Sequence, residues 1–325
     1  MSQSRNYALR NRRVWVAGHR GLVGSALVRR LAEEDCEVVT APREQCDLRK
    51  REDVERYLGD SKPDAIFLAA AKVGGIHANN SFPADFIYDN LAIELNVIEA
   101  ARRVGVDKLM LLGSSCIYPR LAPQPIPESA LLTGPLESTN EWYAVAKIAG
   151  IKLAQAYRRQ HGCDFISVMP TNLYGPGDQF NLLASHVVPA LMAKAHQAKT
   201  SGALTMSVWG SGKPLREFLY ADDAADGMVF LMKHYSDESI VNLGTGSDVS
   251  IAELARLIAD VVGFRGSLVF DSSKPDGTPR KLLDCSRIAA LGWHPSTSLE
   301  EGLVRTYEWY LENHAADGER VLALA

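Results

Sequence analysis

Two side chains four residues apart, Tyr143 and Lys147, form the first candidate chemical pair in the sequence. On a helix, this spacing places both groups on one face. A tyrosine hydroxyl has a reference pKa of ~10, and a nearby ammonium favours the phenolate and lowers that pKa. The pair therefore predicts a group that transfers a proton at neutral pH, with Lys147 also able to hold the ribose of a nicotinamide cofactor.

Ser114 strengthens this hypothesis because it follows a short apolar run, residues 108–112, that is typical of a buried strand. Ligands of parallel sheets bind beyond the carboxyl ends of the strands. A hydroxyl at that place can donate a hydrogen bond to a carbonyl oxygen that is being reduced. The alternative for Ser114, and for Ser115 beside it, is ordinary capping of a helix or turn.

A glycine-rich segment lies between the first apolar run and the first helical pattern. Its glycines permit a tight turn and close approach of the backbone, so that a diphosphate can bind at the positive N-terminus of the helix. The spacing is G-x-x-G-x-x-G, and a simple tight turn is the alternative. The predicted dinucleotide-binding residues are Gly18, His19, Arg20, Gly21, Leu22, Val23 and Gly24.

The residues after the second predicted strand indicate which dinucleotide is bound. NAD-selective sheets usually have an acidic residue there, which binds the ribose hydroxyls. This chain has Arg43, whose planar fork suits a 2′-phosphate, and Arg20 can assist it. We therefore predict NADPH/NADP+, against the alternative of a solvated surface arginine. Asp47 and Leu48 follow where the adenine edge would lie, and helix capping by Asp47 is an equally good interpretation.

A parallel sheet is needed to position these candidates, and the first half of the chain has its pattern. Short apolar runs alternate with helical periodicity, which indicates βαβ units with right-handed crossovers. We therefore expect an α/β fold with a doubly wound parallel Rossmann sheet. The predicted strands are 14–17, 37–40, 65–70, 108–112 and 165–169, and the predicted helices are 22–34, 84–104, 140–160, 187–199, 251–262 and 299–313.

Proline and glycine become frequent after about residue 176, which predicts a smaller C-terminal α/β substrate lobe. We expect a NADP-binding domain at 13–175 and a substrate lobe at 176–314 that returns in part to the first domain. A polar leader at 1–12 precedes them, and a loosely held tail at 315–325 follows.

Composition excludes several classes of protein. The chain has 325 residues, of which 46% are hydrophobic and 23% charged, as in ordinary globular domains. With a net charge of −4 there is no basic excess to attract nucleic acid or an anionic membrane, and no apolar run approaches the ~18–20 residues of a membrane span. Five cysteines without a C-x-x-C pattern indicate a reducing, cytoplasmic location. We find no metal-ligand spacing and predict no metal.

Several further segments carry a resemblance to a known family. They are Leu111–Pro119 (LLGSSCIYP), Ala71–Ile76 (AKVGGI), Asn181–Leu191 (NLLASHVVPAL), Trp209–Gly212 (WGSG) and Arg216–Asp223 (REFLYADD). With Ser114, Tyr143 and Lys147, they resemble the extended short-chain dehydrogenase/reductase family, whose members act on nucleotide sugars. The resemblance covers nearly the whole chain, and Cys116, two residues after Ser114, fits the branch that forms GDP-L-fucose.

This resemblance implies NADPH-dependent conversion of GDP-4-keto-6-deoxy-D-mannose to GDP-L-fucose. C3 and C5 of that sugar both lie alpha to the C4 ketone, so each C–H can be removed to give an enolate and restored from the opposite face. The resemblance assigns Cys116 as the base and His186 as the acid, with Ser114 and Tyr143 stabilising the oxyanion. Hydride then reaches C4, and Tyr143 protonates the oxygen.

From the residues alone, Cys116 is more simply a small buried hydrophobe. His186 precedes an apolar helix, and the 70 residues between it and Cys116 leave open whether the two meet. The loop of residues 170–173 is in any case a proline- and glycine-rich exit from a strand. The resemblance adds to the cofactor site Leu112, Gly113, Ser115, Lys147, Pro170, Thr171, Asn172, Leu173 and His186.

The GDP-sugar end requires cations, a flat apolar face and hydrogen-bond acceptors. Lysine 194 stands where the resembled enzymes often have arginine, so it retains the charge and lacks the bidentate fork. A tryptophan can stack on the sugar or base, with a place in the core as the alternative. The substrate-binding candidates are Lys194, Trp209, Arg216, Asp276 and Lys281.

Two competing functions remain at this stage. A nucleotide-sugar 4-epimerase or dehydratase would retain NAD and recycle it, and a non-catalytic relative would bind NADP without turnover. The intact set of Ser114, Tyr143 and Lys147 argues against the second. Members of the resembled family pair two long helices of each subunit, here 84–104 and 140–160, into a four-helix bundle, so the resemblance implies a homodimer.

Overall fold

The computed structural model describes residues 6–180, 185–274 and 276–314, apart from the side chains of residues 76 and 77. Residues 1–5 of the predicted leader, the predicted tail at 315–325 and residues 181–184 lie outside the described residues. Within the described ranges, no helix is both long enough and apolar enough to cross a membrane.

Strands and helices alternate along the chain. The strands are β1 (Arg13–Ala17), β2 (Glu37–Val39), β3 (Ala65–Leu68), β4 (Lys108–Leu112), β5 (Asp164–Pro170), β6 (Asn172–Tyr174), β7 (Thr205–Trp209), β8 (Leu215–Arg216), β9 (Phe218–Tyr220), β10 (Val241–Leu243), β11 (Val249–Ser250), β12 (Ser267–Asp271) and β13 (Arg280–Lys281). The α-helices are α1 (Leu22–Leu31), α2 (Arg51–Ser61), α3 (Ile76–Ser81), α4 (Pro83–Val104), α5 (Glu141–His161), α6 (Val187–Thr200), α7 (Ala221–His234), α8 (Ile251–Val262), α9 (Ser286–Ala290) and α10 (Leu299–Asn313). Short 3-10 helices lie at Ser115–Ile117, Glu128–Ala130 and Ser138–Asn140.

A six-stranded parallel sheet forms the centre of the fold, in the order β10-β5-β4-β3-β1-β2. The central strands are apolar runs because both of their faces are covered. Along β1, Val14 and Val16 pack on the side of α1 and α7, whereas Trp15 and Ala17 pack on the side of α2, α4 and α5. The three-layer arrangement confirms the predicted doubly wound α/β class.

The second half of the chain contributes both to this sheet and to a separate core. Strand β10 pairs with β5, and α7 packs on α1, so part of the second half returns to the first. A separate apolar core lies among α6, α8 and α10 and the parallel pair β7–β12. Strands β11, β8 and β13 form a further small sheet, in that order. The boundaries at 175 and 176 stay a prediction.

The ends of the predicted elements differ from the observed ends by a few residues. Helices α8 and α10 have the predicted bounds, whereas α1 ends at Leu31 and not at Glu34. The amides of Glu33 and Glu34 bond to the carbonyls three residues earlier, so the last turn is tighter than an α-helix.

Candidate active site

The predicted site residues gather at the carboxyl edge of the central sheet. Gly18 follows β1, Ser114 lies two residues beyond β4, and Pro170 ends β5. Because β4 and β5 are parallel neighbours, with Leu112 opposite Val168, their exits lie side by side. The six-stranded sheet therefore brings the dinucleotide loop and the proton-transfer residues to one edge.

The glycine loop forms a close turn into α1. Gly18 has a φ of +92°, and a Cβ atom there would lie 2.7 Å from the backbone of Ala70. The Gly21 amide donates to the Gly18 carbonyl at 3.0 Å, and a methyl group on Gly24 would overlap that same carbonyl. Gly21 is the N-cap of α1 and no side chain caps the helix, so its first amides are available to an anion.

The other residues of this loop divide between core and surface. Leu22 and Val23 pack partly against the core, whereas burial, followed by the charge of Arg20, lowers the pKa of His19. Arg20 and Arg43 remain exposed, at 70% and 66% of their side chains. Their acidic partners form long ion pairs at the surface, with Arg20 3.9 Å from Glu44 and Arg43 3.6 Å from Asp47. Both guanidinium groups can therefore turn towards a phosphate.

Asp47 is bound within the protein. Its carboxylate pairs with both arms of Arg49, at 2.7 and 3.0 Å, and this hydrogen bonding holds its pKa well below the usual range. The N-cap of α2 is Lys50, so the interpretation of Asp47 as a helix cap is wrong. The carbonyl of Leu48, the adjacent candidate, accepts a hydrogen bond from Asn96 at 3.0 Å.

Tyr143 and Lys147 lie on α5, as their spacing predicts. The Lys147 ammonium is 5.9 Å from the centre of the Tyr143 ring, and the hydroxyl of Ser114 acts to lower the pKa of Tyr143. Ser114 is also the N-cap of a 3-10 helix, where its hydroxyl accepts from the Cys116 amide at 3.2 Å. The capping alternative and the proposed chemical role of Ser114 therefore coexist. Ser115 is buried.

The expectation of a lowered pKa for Tyr143 is wrong for the free protein. Burial raises the pKa of Tyr143, and this effect outweighs the opposing charge of Lys147. The charges of Cys116 and Glu94 raise it further. Tyr143 is therefore a neutral phenol around pH 7, which is the form that can donate a proton.

Sequence analysis missed the carboxylate that pairs with Lys147. Glu94 on α4 lies 3.0 Å from the ammonium, and these side chains are only 1% and 2% exposed. The Leu112 carbonyl accepts from Lys147 at 2.9 Å. Burial alone would lower the pKa of Lys147, but Glu94 and Tyr143 raise it above its usual value.

Cys116 lies in the same cluster. Its sulfur accepts from the Asn140 amide at 3.2 Å and is 3.7 Å from the Lys281 ammonium. The thiol is half-buried and interacts electrostatically with Tyr143 and Arg216. Asn140 was not predicted, although it ends the 3-10 helix immediately before α5. Cys116 therefore lies close to two of the predicted substrate residues, Lys281 and Arg216.

His186 is the N-cap residue of α6. The residue is exposed at the surface, but neighbouring protein atoms keep part of the water from its imidazole, and this desolvation lowers the pKa of His186. Among the described residues no hydrogen bond joins the imidazole to another side chain, and none joins it to Cys116. A facing pair of Cys116 and His186 therefore stays a prediction.

The loop after β5 joins the two halves of the chain. The Thr171 amide donates to Leu243 at 2.9 Å, and the Asn172 side chain donates to the Glu217 carbonyl at 2.8 Å. On the other side, the amide of Gly113 donates to Val168 at 2.8 Å. The predicted cofactor residues Pro170, Thr171, Asn172 and Leu173 thus lie beside Leu112 and Gly113.

The predicted substrate residues form two groups. Arg216 and Lys281 are direct neighbours on β8 and β13, and burial lowers the pKa of Arg216. Further out, Trp209 is half exposed, with the ammonium of Lys194 4.6 Å from its ring centre. Burial lowers the pKa of Lys194 as well.

Asp276 lies beside the Trp209 group. Its two carboxylate oxygens each accept from Ser211, one from the amide and one from the hydroxyl, at 2.7 Å. A carboxylate has further lone pairs, so these bonds leave it able to accept from a ligand. Within the described residues, no group of three or more His, Cys, Asp or Glu side chains is arranged to hold a metal ion.

Comparison with known proteins identifies the class to which this fold and site belong. Residues 14–244 match the model of the NAD dependent epimerase/dehydratase family, and the chain belongs to that family. It is 60% identical over 309 residues to a GDP-L-fucose synthase of Sinorhizobium fredii, covering 95% of this chain and 98% of the relative. The resemblance inferred from the sequence motifs is thereby confirmed.

Solved structures give the same family at lower identity. A GDP-L-fucose synthetase from Naegleria fowleri bound to NADP superposes with a TM-score of 0.89 at 31% identity, covering 96% of this chain and 98% of that one. A GDP-6-OMe-4-keto-L-xylo-heptose reductase from C. jejuni has a TM-score of 0.90 at 34% identity, covering 95% and 100%. The second likeness is to a protein whose name specifies reduction of a GDP-linked 4-keto sugar.

Proposed function

We propose that this chain converts GDP-4-keto-6-deoxy-D-mannose to GDP-L-fucose, using NADPH. The observation that carries the proposal is a cluster in which the charge of Cys116 acts on Tyr143, the Cys116 amide binds the Ser114 hydroxyl, and the Lys147 ammonium lies 5.9 Å from the Tyr143 ring centre. A site for reduction alone needs no thiol beside the tyrosine. The 60% identity to the Sinorhizobium fredii GDP-L-fucose synthase supports the substrate and the product.

The loop and its arginines fit NADPH. The uncapped N-terminus of α1 suits a diphosphate, and a side chain at Gly24 would close the space against the loop. The exposed Arg20 and Arg43 suit the 2′-phosphate, and the NADP of the Naegleria fowleri structure supports the same preference. When bound, NADPH supplies the hydride that reduces C4.

The epimerisation is proton chemistry at carbons alpha to the ketone. Cys116, as thiolate, removes the proton from C3 or C5, and the electron pair enters the C4 carbonyl as an enolate. His186 returns a proton to the opposite face, and for this step it must be protonated although desolvation lowers its pKa in the free protein. Ser114 and Tyr143 donate hydrogen bonds to the C4 oxygen and stabilise its developing charge. Transfer of the proton from Cys116 to His186 between turnovers restores the starting forms.

The reduction uses the same oxygen contacts. Tyr143 is a neutral phenol in the free protein, so it can deliver its proton to the C4 oxygen as the carbonyl becomes an alcohol. Lys147 retains its charge beside Glu94 and stabilises the phenolate left behind.

The cations beyond Cys116 suit the GDP moiety. Arg216 and Lys281 are neighbours, the Lys281 ammonium is 3.7 Å from the Cys116 sulfur, and both cations can contact the diphosphate. Trp209 with Lys194 offers an aromatic face and a charge, and Asp276 offers acceptors to guanine or ribose. Asp47 and Leu48 remain candidates for the adenosine end of NADPH.

We also propose a homodimer formed through α4 and α5. These helices pack together, and the cleft on their outer side is lined by Leu91, Leu95, Ala149, Leu153 and Ala156. Leu95 and Trp142 are about half exposed, at 50% and 47%. A second copy of the pair would cover this face as a four-helix bundle. Light scattering at micromolar concentration tests the proposal, and a monomer would contradict it.

The five cysteines are free thiols, which supports a reducing compartment such as the cytoplasm. Purified protein incubated with the GDP-keto sugar and NADPH should consume NADPH at 340 nm and yield GDP-L-fucose by NMR. A 4-epimerase or dehydratase would recycle its cofactor without net consumption. Tight NADPH binding without turnover on any nucleotide-sugar ketone would favour the non-catalytic relative.

Cys116→Ser separates epimerisation from reduction. We expect this variant to lose deuterium uptake from D₂O at C3 and C5, because an alcohol is a far weaker base partner than a thiolate. Cys36→Ser, at a half-buried thiol on the opposite side of the sheet, is the matched control and should exchange normally. Normal uptake by the Cys116→Ser variant would remove Cys116 from the role of base.

A further inference from the structure

The ion pair behind Tyr143 is unusual in its depth. Glu94 comes from α4 and Lys147 from α5, and both are almost completely buried. Charged groups are rarely buried to this degree, because the loss of hydration is costly unless each charge has a partner. Apolar residues of similar size often pack in place of such a pair without loss of stability, so stability alone does not account for a buried ion pair.

The helix that carries Tyr143 and Lys147 is shaped around the Glu94 carboxylate. A methyl group on Gly150 would overlap the Glu94 Oε2 atom. Glycine in the middle of a 21-residue helix weakens that helix relative to alanine, so the space has an energetic cost. Glu94 and Gly150 both line the cleft that Leu91 and Leu153 also line. Lys147 is the cation that pairs with Glu94 within the described residues.

The ammonium of Lys147 is fixed from two directions. The Leu112 carbonyl accepts a hydrogen bond from the ammonium at 2.9 Å, and the Glu94 carboxylate lies 3.0 Å from the same nitrogen as an ion pair. The two Glu94 oxygens have no other hydrogen-bond partner among the described residues, so Lys147 is the group that compensates this buried charge. The Leu112 carbonyl carries no net charge and can accept a hydrogen bond from the neutral amine as well as from the ammonium, although the bond from the ammonium is stronger. Glu94 is the contact that requires the charged form.

We propose that Glu94 is a positioning residue for the reduction, which fixes the place and the positive charge of the Lys147 ammonium beside Tyr143. The inference deepens the proposed function, because it concerns the site at which C4 is reduced. Glu94 touches neither substrate nor cofactor in this scheme and acts through Lys147.

The sign of the effect follows from the charges around the pair. The titratable groups that act on Tyr143 are Lys147, Cys116 and Glu94, and those that act on Lys147 are Glu94 and Tyr143. The negative charge of Glu94 holds protons on both Tyr143 and Lys147. In Glu94→Gln, Tyr143 and Lys147 therefore both lose their protons at lower pH than in the wild type.

The test measures kcat/KM for NADPH-dependent reduction of the GDP-keto sugar as a function of pH in wild type, Glu94→Gln and Glu94→Asp. We expect the alkaline loss of activity to move to lower pH in the glutamine variant, with partial return in the aspartate variant. Glu99→Gln, on the same helix and paired with Arg102 and Arg103, is the matched control and should leave the profile unchanged. A folded Glu94→Gln protein with the wild-type profile would overturn the proposal, because a purely structural role changes the folded fraction and not the pH at which activity is lost.

A second measurement is independent of the substrate. NMR of the protein with ¹³Cε-labelled lysine, with the Lys147 resonance assigned by its loss in Lys147→Met, follows the charge of that amine. We expect Lys147 to lose its proton at lower pH in Glu94→Gln than in wild type, and equal titration would overturn the inference. This result holds even if the wild type does not turn over the GDP-keto sugar, so failure of the proposed function is distinguishable from failure of this proposal.

Gly150→Ala covers the case in which Glu94→Gln does not fold. This variant retains the carboxylate and displaces it from Lys147, so both measurements should shift in the same direction by a smaller amount. An unchanged kcat/KM profile and an unchanged Lys147 titration in this variant would overturn the proposal.

Discussion

Lys147→Met is the substitution whose stability cost can be worked out most directly from the structure. Methionine is apolar and similar in length, so it fills the space and leaves Glu94 as a charge that is 1% exposed. Removal of one partner of a buried ion pair costs about 3–5 kcal/mol. With an unfolding entropy of about 2.1 cal/mol/K per residue over 325 residues, this cost lowers Tm by about 4–7 °C.

Calorimetry of three proteins tests this reasoning: wild type, Lys147→Met, and Lys147→Met combined with Glu94→Gln. The double variant should regain most of the lost Tm, because an amide is less costly to bury than an unpaired carboxylate. Burial raises the pKa of Glu94, and in Lys147→Met no cation opposes that effect. A carboxyl group whose pKa is raised in the folded state binds a proton more readily there, so the native state gains stability as pH falls. The difference in Tm between Lys147→Met and wild type should therefore shrink from pH 8 to pH 5.5. A Lys147→Met protein within 1 °C of wild type, or a double variant less stable than the single one, would refute it.

Two further predictions concern the cofactor and the core. Arg43→Ala should raise KM for NADPH about tenfold or more while leaving KM for NADH unchanged, because a charged hydrogen bond is worth about 1.5–3 kcal/mol. Steady-state kinetics with both cofactors checks this, with substitution of the exposed Arg10 by alanine as the control. Parallel changes in KM for both cofactors would contradict the prediction. Burial raises the pKa of Cys46 to about 11, so the native state resists ionisation of this thiol and loses stability as pH rises above about 9. Urea unfolding at pH 8 and pH 10.5 should show less alkaline destabilisation in Cys46→Ala than in wild type, and equal losses would exclude Cys46 as a source.

The sheet and its edge were predictable from the sequence because buried parallel strands are continuous apolar runs. Residues 108–112 have that pattern, and the parallel order then places Ser114 beside the end of β5. The pairing of Tyr143 with Lys147 follows from helical spacing alone. The direction in which the pKa of Tyr143 shifts could not be predicted in the same way. It is set mainly by burial, which depends on every element around the ring and not on the residue four positions away.

Glu94 left a signal in the sequence that we did not use. Asn90, Ile93, Val97 and Ile98 form the buried stripe of α4, and Glu94 falls on that stripe. A charge at an apolar position of an amphipathic helix predicts a buried partner. Its identity depends on how α4 packs on α5, which no local pattern specifies.

The cluster at Cys116 needs both halves of the chain, and a second buried carboxylate explains how they are joined. Glu217 has no exposed surface and accepts backbone N–H bonds from Thr245, Gly246 and Leu283, at 2.6, 2.7 and 3.0 Å. Those amides belong to the loop after β10 and to the chain just after β13. Arg216 immediately precedes this glutamate, so the same contacts that satisfy a buried charge also fix the register in which Arg216 lies beside Lys281. The position of the cations proposed to bind substrate is therefore a consequence of how the second half of the chain returns to the first sheet. The sequence shows the residue types of these cations, but it does not show that they meet at Cys116.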